Sequence, residues 1–454
     1  MTIATINEFI SLLADAFKAL SAEVPIIDVE RLAMLIHSSM DQGRRKYHVS
    51  THVFDMCAGM NPRQVLATLF HDVVYYQLDG GFPSHADAML KRVVRVENSA
   101  ISLGSIDDGD TAVGICAGLF GFRAGETLPL YGGMNEFLSA VVATRVLQSY
   151  LPAAELIAIA SCIEATVPFR GVDASGKGAA DVLADRVREV SRSLGIETAE
   201  AEIATVVTDA VVLANRDVGS FSQADPGAFL STTWLLIEES NAPLAAVGVY
   251  SIQDYRGALS RMEKFLGSLN PDHVFHRYQG TPGEAEFAAL RDAARRNLEF
   301  ATNYLGAKIV GIAIVEALAA VTGGDCPVSM MLGDIRSPHG RPDRVDDFLP
   351  QAPTAKDVDL RLLKVLEKGR ALESTGDLTE SPLTAFIYRF LGHDGTVRAL
   401  HRAKLMFAGD LPARDFLKEL NVEMVRAVMK ACAQIALSRR EALLALEKAL
   451  EPGR

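Results

Sequence analysis

Cysteine is scarce and scattered. The five residues, Cys57, Cys116, Cys162, Cys326 and Cys432, are odd in number and form no CxxC pair. That excludes a disulfide framework and a zinc ribbon, and suits a reducing compartment. Basic charge is in deficit: 45 Lys and Arg against 57 Asp and Glu leave a net charge of −12. Broad binding to nucleic acid or to an anionic membrane is therefore not expected. A small phosphorylated substrate is still compatible, because a metal ion can supply positive charge locally. No long uncharged apolar run suggests a membrane span. The best candidate, Ile309 to Val321, is short, carries Glu316 and reads as a buried core helix. The N-terminal stretch lacks a basic leader and carries Glu8 and Asp15, against a secretory signal. Strand signals are sparse, and no repeat recurs at a fixed period. A cytoplasmic, helical chain is the expectation.

What is present supports a large core. The chain has 454 residues, of which 49% are hydrophobic, enough for about two or three domains. Apolar residues recur with the helical period, as at Phe9, Leu12, Leu13, Phe17 and Leu20. Asp28 is a plausible cap for a second helix after Pro25. A helix is expected from Tyr47 to about Ala58. Asn61 and Pro62 should start another, running through His71 to about Tyr76. Further helices are expected near Ser84–Glu97, Met134–Leu151, Ala153–Ala165, Ala179–Leu194, Ala199–Ala214, Pro226–Glu239, Tyr255–Leu266, Glu284–Leu305, Ala307–Val321 and Ser438–Glu451. Val247 to Gln253 could be a short strand or a connector. Residues 241–254 mark the expected boundary, giving domains 1–240 and 241–454. Met330 to Pro353 is the longest apparent loop.

Four stretches carry chemistry. Tyr47-His48 and His52 place two histidines four residues apart, on one face if helical. Phe70-His71-Asp72 sets a carboxylate in apolar surroundings, where a cation is needed to offset desolvation. Asn135-Glu136 opens a helix, and Asp217 closes an apolar one. Imidazole and carboxylate suit zinc, iron, manganese or nickel. A metal so held brings the pKa of its water near neutrality and offsets charge developing on a phosphoryl group.

The ordered set YHxxxH, FHDxVY, NExxSA and a late helical Asp resembles the HD superfamily of metal-dependent phosphohydrolases, over roughly residues 30–235. The Tyr-His-x-x-x-His spacing is also similar to the opening of the cyclic-nucleotide phosphodiesterase site. The resemblance implies an all-α HD-type helical bundle, followed here by a second mainly helical domain. It implies His52, His71, Asp72 and Asp217 as ligands of one or two divalent metal ions (Mn, Fe, Zn, Ni or Mg), with Asp72 able to bridge two. By the phosphodiesterase pattern His48 is the general acid. Arg45-x-x-His48 also resembles the commoner HD opening, which would make His48 the ligand; the double-histidine pattern favours His52. Val49 replaces the asparagine usual after the first phosphodiesterase histidine. Arg170 stands where relatives often carry a basic residue or histidine.

Glu136 and Arg170 are candidates for the substrate side, against a dipole-favoured helix-start acid and a solvated arginine. Glu164, in an apolar helix, reads more simply as a salt-bridge partner. Gly171 to Gly178 nearly matches a P-loop but lacks the final Ser or Thr and a preceding strand. His393-Asp394 sits beside glycines and reads as a turn. His273, His276, His339, His393 and His401 form no recognisable ligand set. The expected activity is metal-dependent hydrolysis of a phosphomonoester or phosphodiester in a nucleotide or small metabolite. The alternative is a nucleotide-binding regulatory module on the same fold without turnover. An HD-fold di-iron oxygenase needs further histidines, and only His37 and His85 remain nearby. The second half reads as a dimerisation or regulatory domain, making a homodimer compatible.

Overall fold

The computed structural model describes residues 4–98, 100–107, 109–247, 249–334, 341–372 and 377–449. The fold is all-α; among the described residues, sheet structure is confined to one short antiparallel hairpin. The chain forms two compact units, residues 1–222 with 270–295, and residues 223–269 with 296–454. The division falls after residue 222 rather than near 241, and residues 270–295 return to the first unit.

The first unit contains α1 (Thr5–Ala19), α2 (Ile26–Met40), α3 (Ser50–Cys57), α4 (Pro62–Phe70), the single turns α5 (Tyr76–Asp79) and α6 (Asp87–Leu90), then α7 (Thr111–Phe120), α8 (Met134–Leu147), α9 (Ala153–Ala165), α10 (Ala179–Ser193) and α11 (Glu200–Asp217). In helix α9 every residue from Leu156 to Ala165 is buried, Glu164 included, and α4, α7, α8, α10 and α11 pack around it. Asn61 and Gln64 form a reciprocal capping box at the start of α4, with Pro62 in its first turn.

Several local expectations are corrected. Helix α3 starts at Ser50, so His48 precedes it. Helix α4 stops at Phe70, with His71 as its C-cap, instead of running to about Tyr76. Tertiary hydrogen bonds take over the backbone there, as described below. The segment read as a helix over Ser84–Glu97 instead yields α6 and strand β1 (Val94–Glu97), paired with β2 (Ala100–Leu103). Val93, Val94, Ile101 and Leu103 are buried, and β-branched side chains suit a pleated, half-buried surface. Helix α7, capped by Asp110 and ended by left-handed Gly121, was not anticipated.

The second unit holds α12 (Pro226–Ser240), α13 (Ile252–Ser268), most of α14 (Glu284–Thr322), α15 (Val328–Leu332), α16 (Leu360–Lys368), α17 (Pro382–Ala408), α18 (Ala413–Glu419), α19 (Val422–Ile435) and α20 (Arg440–Ala449). Helix α14 is one helix of 39 residues where two were expected. It is long and apolar enough to cross a membrane, but 78% of its most apolar window is buried within the protein. The described residues of Val247–Gln253 form no strand: Ser251 caps α13 in a box with Asp254. The long loop takes in the end of α15 and a 3-10 turn at Val345–Phe348; residues 335–340, including His339, lie outside the described residues. His393-Asp394 is no turn but part of α17, just after a non-helical Gly392 at φ 67°. The His393 and Asp394 amides donate to the backbone and side-chain oxygens of Asp357 respectively.

Candidate metal centre

Three elements of the first unit deliver the ligand candidates. His52 lies in the first turn of α3, His71 and Asp72 at the end of α4, and Asp217 on the last residue of α11. Ligand atoms of His52, His71 and Asp72 all lie within 4.8 Å of one another. Asp217 Oδ1 is 3.2 Å from His52 Nε2 and 3.8 Å from His71 Nε2. Side-chain exposure is 2% at His71, 13% at His52 and Asp72, and 19% at Asp217. The cluster is thus buried but reachable from one side.

The hydrogen bonding of His71 fixes its tautomer. Nδ1 lies 2.8 Å from the Thr68 carbonyl oxygen, which can only accept, so Nδ1 carries a proton. Nε2 then faces the cluster. It is 2.9 Å from Asp72 Oδ2, yet misaligned, and it is buried without a hydrogen-bond partner. Protonated, this nitrogen is the charge partner of Asp72; neutral, it presents its lone pair to a cation, its other nitrogen being tied to a carbonyl. These donors, two imidazoles and two carboxylates, fit a divalent transition metal or zinc.

Electrostatics points the same way. Burial pushes the His71 pKa down, but Asp72 and Asp217 override it and hold it at about 10. Burial likewise pushes Asp72 up, while His71 and His48 pull it well below the usual carboxylate range. Without a cation, a proton on His71 does the cation's work. Burial raises Glu136, in the first turn of α8, to about 7, and Asp72 and Asp217 add to the rise. A third carboxylate therefore lies within electrostatic reach of the cluster.

The surrounding shell explains the early end of α4. Arg45 is buried in a two-point pair with Asp79 (Nε–Oδ1 3.0 Å, Nη2–Oδ2 2.7 Å), and its Nη1 donates to the Asp72 carbonyl at 2.7 Å. The Val74 amide donates to Ser139 Oγ and the Tyr76 amide to Asn135 Oδ1, both at 3.1 Å. Asn135 Nδ2 donates in turn to Gln77. The Asn135 and Ser139 positions of the NExxSA pattern therefore clamp the backbone after His71-Asp72, while the charge of Glu136 reaches the cluster. Sequence reasoning passed over the Arg45–Asp79 pair and the Thr68 carbonyl. Arg45 lay inside a motif, but nothing local pointed to Asp79.

No family model, curated protein or solved structure matches this chain.

The other candidates divide. His48 stands beside the triad, its ring 6.3 Å from that of His52 and edge-on to Tyr75 at 4.8 Å. Arg170 pairs with Glu164, which is 1% exposed and also engages Arg186; the apolar-helix glutamate is a salt-bridge residue. In the Gly171–Gly178 stretch, the Ser175 and Lys177 amides donate to Asp173 Oδ1 at 2.8 and 2.9 Å. Amides that a phosphate loop would offer to ligand are spent on an internal turn.

Proposed function

We propose that the first unit is a metal-dependent phosphohydrolase of the HD type, acting on a phosphomonoester or phosphodiester of a nucleotide or small metabolite. The observation that carries this reading is the convergence of His52, His71 and Asp72, whose ligand atoms lie within 4.8 Å of one another, with Asp217 beside them. His52, His71, Asp72 and Asp217 would hold a divalent cation, which would supply an activated water and offset charge on the phosphoryl oxygens. Thr68 keeps the His71 tautomer correct, and Arg45 fixes the Asp72 backbone. His48, beside the triad and within electrostatic reach of Asp72, gives a proton to the leaving oxygen.

The test is elemental analysis of wild type and Asp72→Ala, paired with a panel of phosphatase and phosphodiesterase substrates. The expected outcome is metal in the wild type, its loss in the variant, and turnover falling by at least about 10³-fold. Metal without turnover of any phosphoester would favour the nucleotide-binding regulatory module. Wild type that takes up no metal on reconstitution would overturn both.

A further inference from the structure

The Arg45 side chain has no exposed surface, and that of Asp79 beside it is 5% exposed. A guanidinium carried into the interior needs partners for its nitrogens and a matching negative charge. Both conditions are met. Nε and Nη2 lie against the two Asp79 carboxylate oxygens. Nη1 donates to the Asp72 carbonyl and lies 3.5 Å from Met40 Sδ.

That pair joins two segments that the metal centre needs together. Arg45 lies just ahead of His48 and of α3, whose first turn carries His52. The carbonyl it holds belongs to a ligand candidate, Asp72. Asp79 is the last residue of α5, a single turn closed by Gly80 in the left-handed region at φ 73°. A planar guanidinium gripped at two points fixes direction as well as distance, which an ammonium does not. Charge matters too. Unmatched, a positive charge 2.7 Å from the Asp72 carbonyl oxygen would oppose a cation bound nearby. Asp79 cancels it without belonging to the ligand cluster.

We infer, resting on the metal-dependent reading of this centre, that Asp79 is a positioning residue acting through Arg45. It aims the guanidinium that holds the Asp72 main chain, and it keeps that positive charge from opposing the metal. A comparable fork supplies the control. Arg63, in the first turn of α4, meets Glu155 of α9 through Nε and Nη2, both at 2.7 Å. Among the described residues, neither partner of that fork bonds to a ligand candidate.

The experiment is titration of cobalt(II) into the full chain after metal is stripped with EDTA, read from the d–d absorption bands. Wild type is compared with Asp79→Asn, Arg45→Lys and Glu155→Gln, each checked for helical circular dichroism. Asp79→Asn should bind cobalt at least about tenfold more weakly and with altered bands. Arg45→Lys keeps the charge but loses the fork, and should show altered bands as well; it decides alone if Asp79→Asn does not fold. Glu155→Gln should melt lower yet bind cobalt as wild type does. Wild-type affinity and bands in the Asp79 and Arg45 variants overturn the positioning role and leave the metal reading standing. An equal loss in Glu155→Gln overturns it too, since destabilisation alone then weakens binding. Wild type that takes up no cobalt defeats the metal reading itself, and the positioning role with it.

Discussion

At the scale of single residues, the centre depends on side chains that touch no ligand. Asn135 holds the Tyr76 amide and the Gln77 side chain, and so anchors the backbone that follows Asp72. Replacing such an outer partner typically costs 10–100-fold in metal affinity or activity. Asn135→Ala should therefore bind the divalent ion at least about tenfold more weakly, measured by competition with a chromogenic chelator, while the circular dichroism spectrum stays helical. His276 offers a pH test. Burial, aided by neighbouring Arg170, lowers its pKa from 6.5 to about 4. The folded chain thus binds fewer protons than the unfolded chain in this window. The stability His276 contributes is full above pH 6.5 and drains away as pH falls towards 4, by up to ~3 kcal/mol. His276→Gln should flatten that part of the denaturation profile; an unchanged slope between pH 6.5 and 4 would count against the assignment.

At the scale of elements, Gly392 interrupts α17 at φ 67° and ψ −172°, a region open essentially to glycine. A Cβ there would also collide with the Asp357 carboxylate, which receives the Asp394 amide. Strain and clash together should make Gly392→Ala destabilising by ~2 kcal/mol or more, read as a shift in the urea midpoint with little change in slope. The element also shows why a dipeptide is not a site. His71-Asp72 ends a buried helix beside two other candidate ligands. His393-Asp394 has the same letters, but its amides are engaged by Asp357 and no ligand cluster forms around it among the described residues.

At the scale of the whole molecule, the return of residues 270–295 matters most. Val274, Phe275 and Tyr278 are buried, Tyr278 within the core of the first unit. Burying side chains of this size contributes roughly 1.5–3 kcal/mol each. A chain ended after residue 240 loses all three along with the Asn215–His276 pairing. Such a chain should melt well below the full protein or aggregate, as followed by scanning fluorimetry and size-exclusion chromatography. An equal melting temperature would show that 270–295 is dispensable to the first unit.

Composition and apolar periodicity determined that this chain is all-α, because helical stripes and caps are local properties. Residue order, through its resemblance to the HD superfamily, also singled out His52, His71, Asp72 and Asp217 as candidate ligands, with His48 left as the alternative to His52. The hairpin at Val94–Leu103, the stop of α4 at Phe70 and the early start of the second unit were not legible. Each depends on partners far along the chain: Glu126 and Leu128 for the hairpin edge, Arg45, Asn135 and Ser139 for the stop, and residues 270–295 for the boundary. Tertiary structure alone decided that the ligand atoms converge, that Arg170 spends its outer edge on Glu164, and that the His273–Arg277 segment lies against it. Those outcomes follow from which buried charges find partners in space, and sequence spacing does not carry that information.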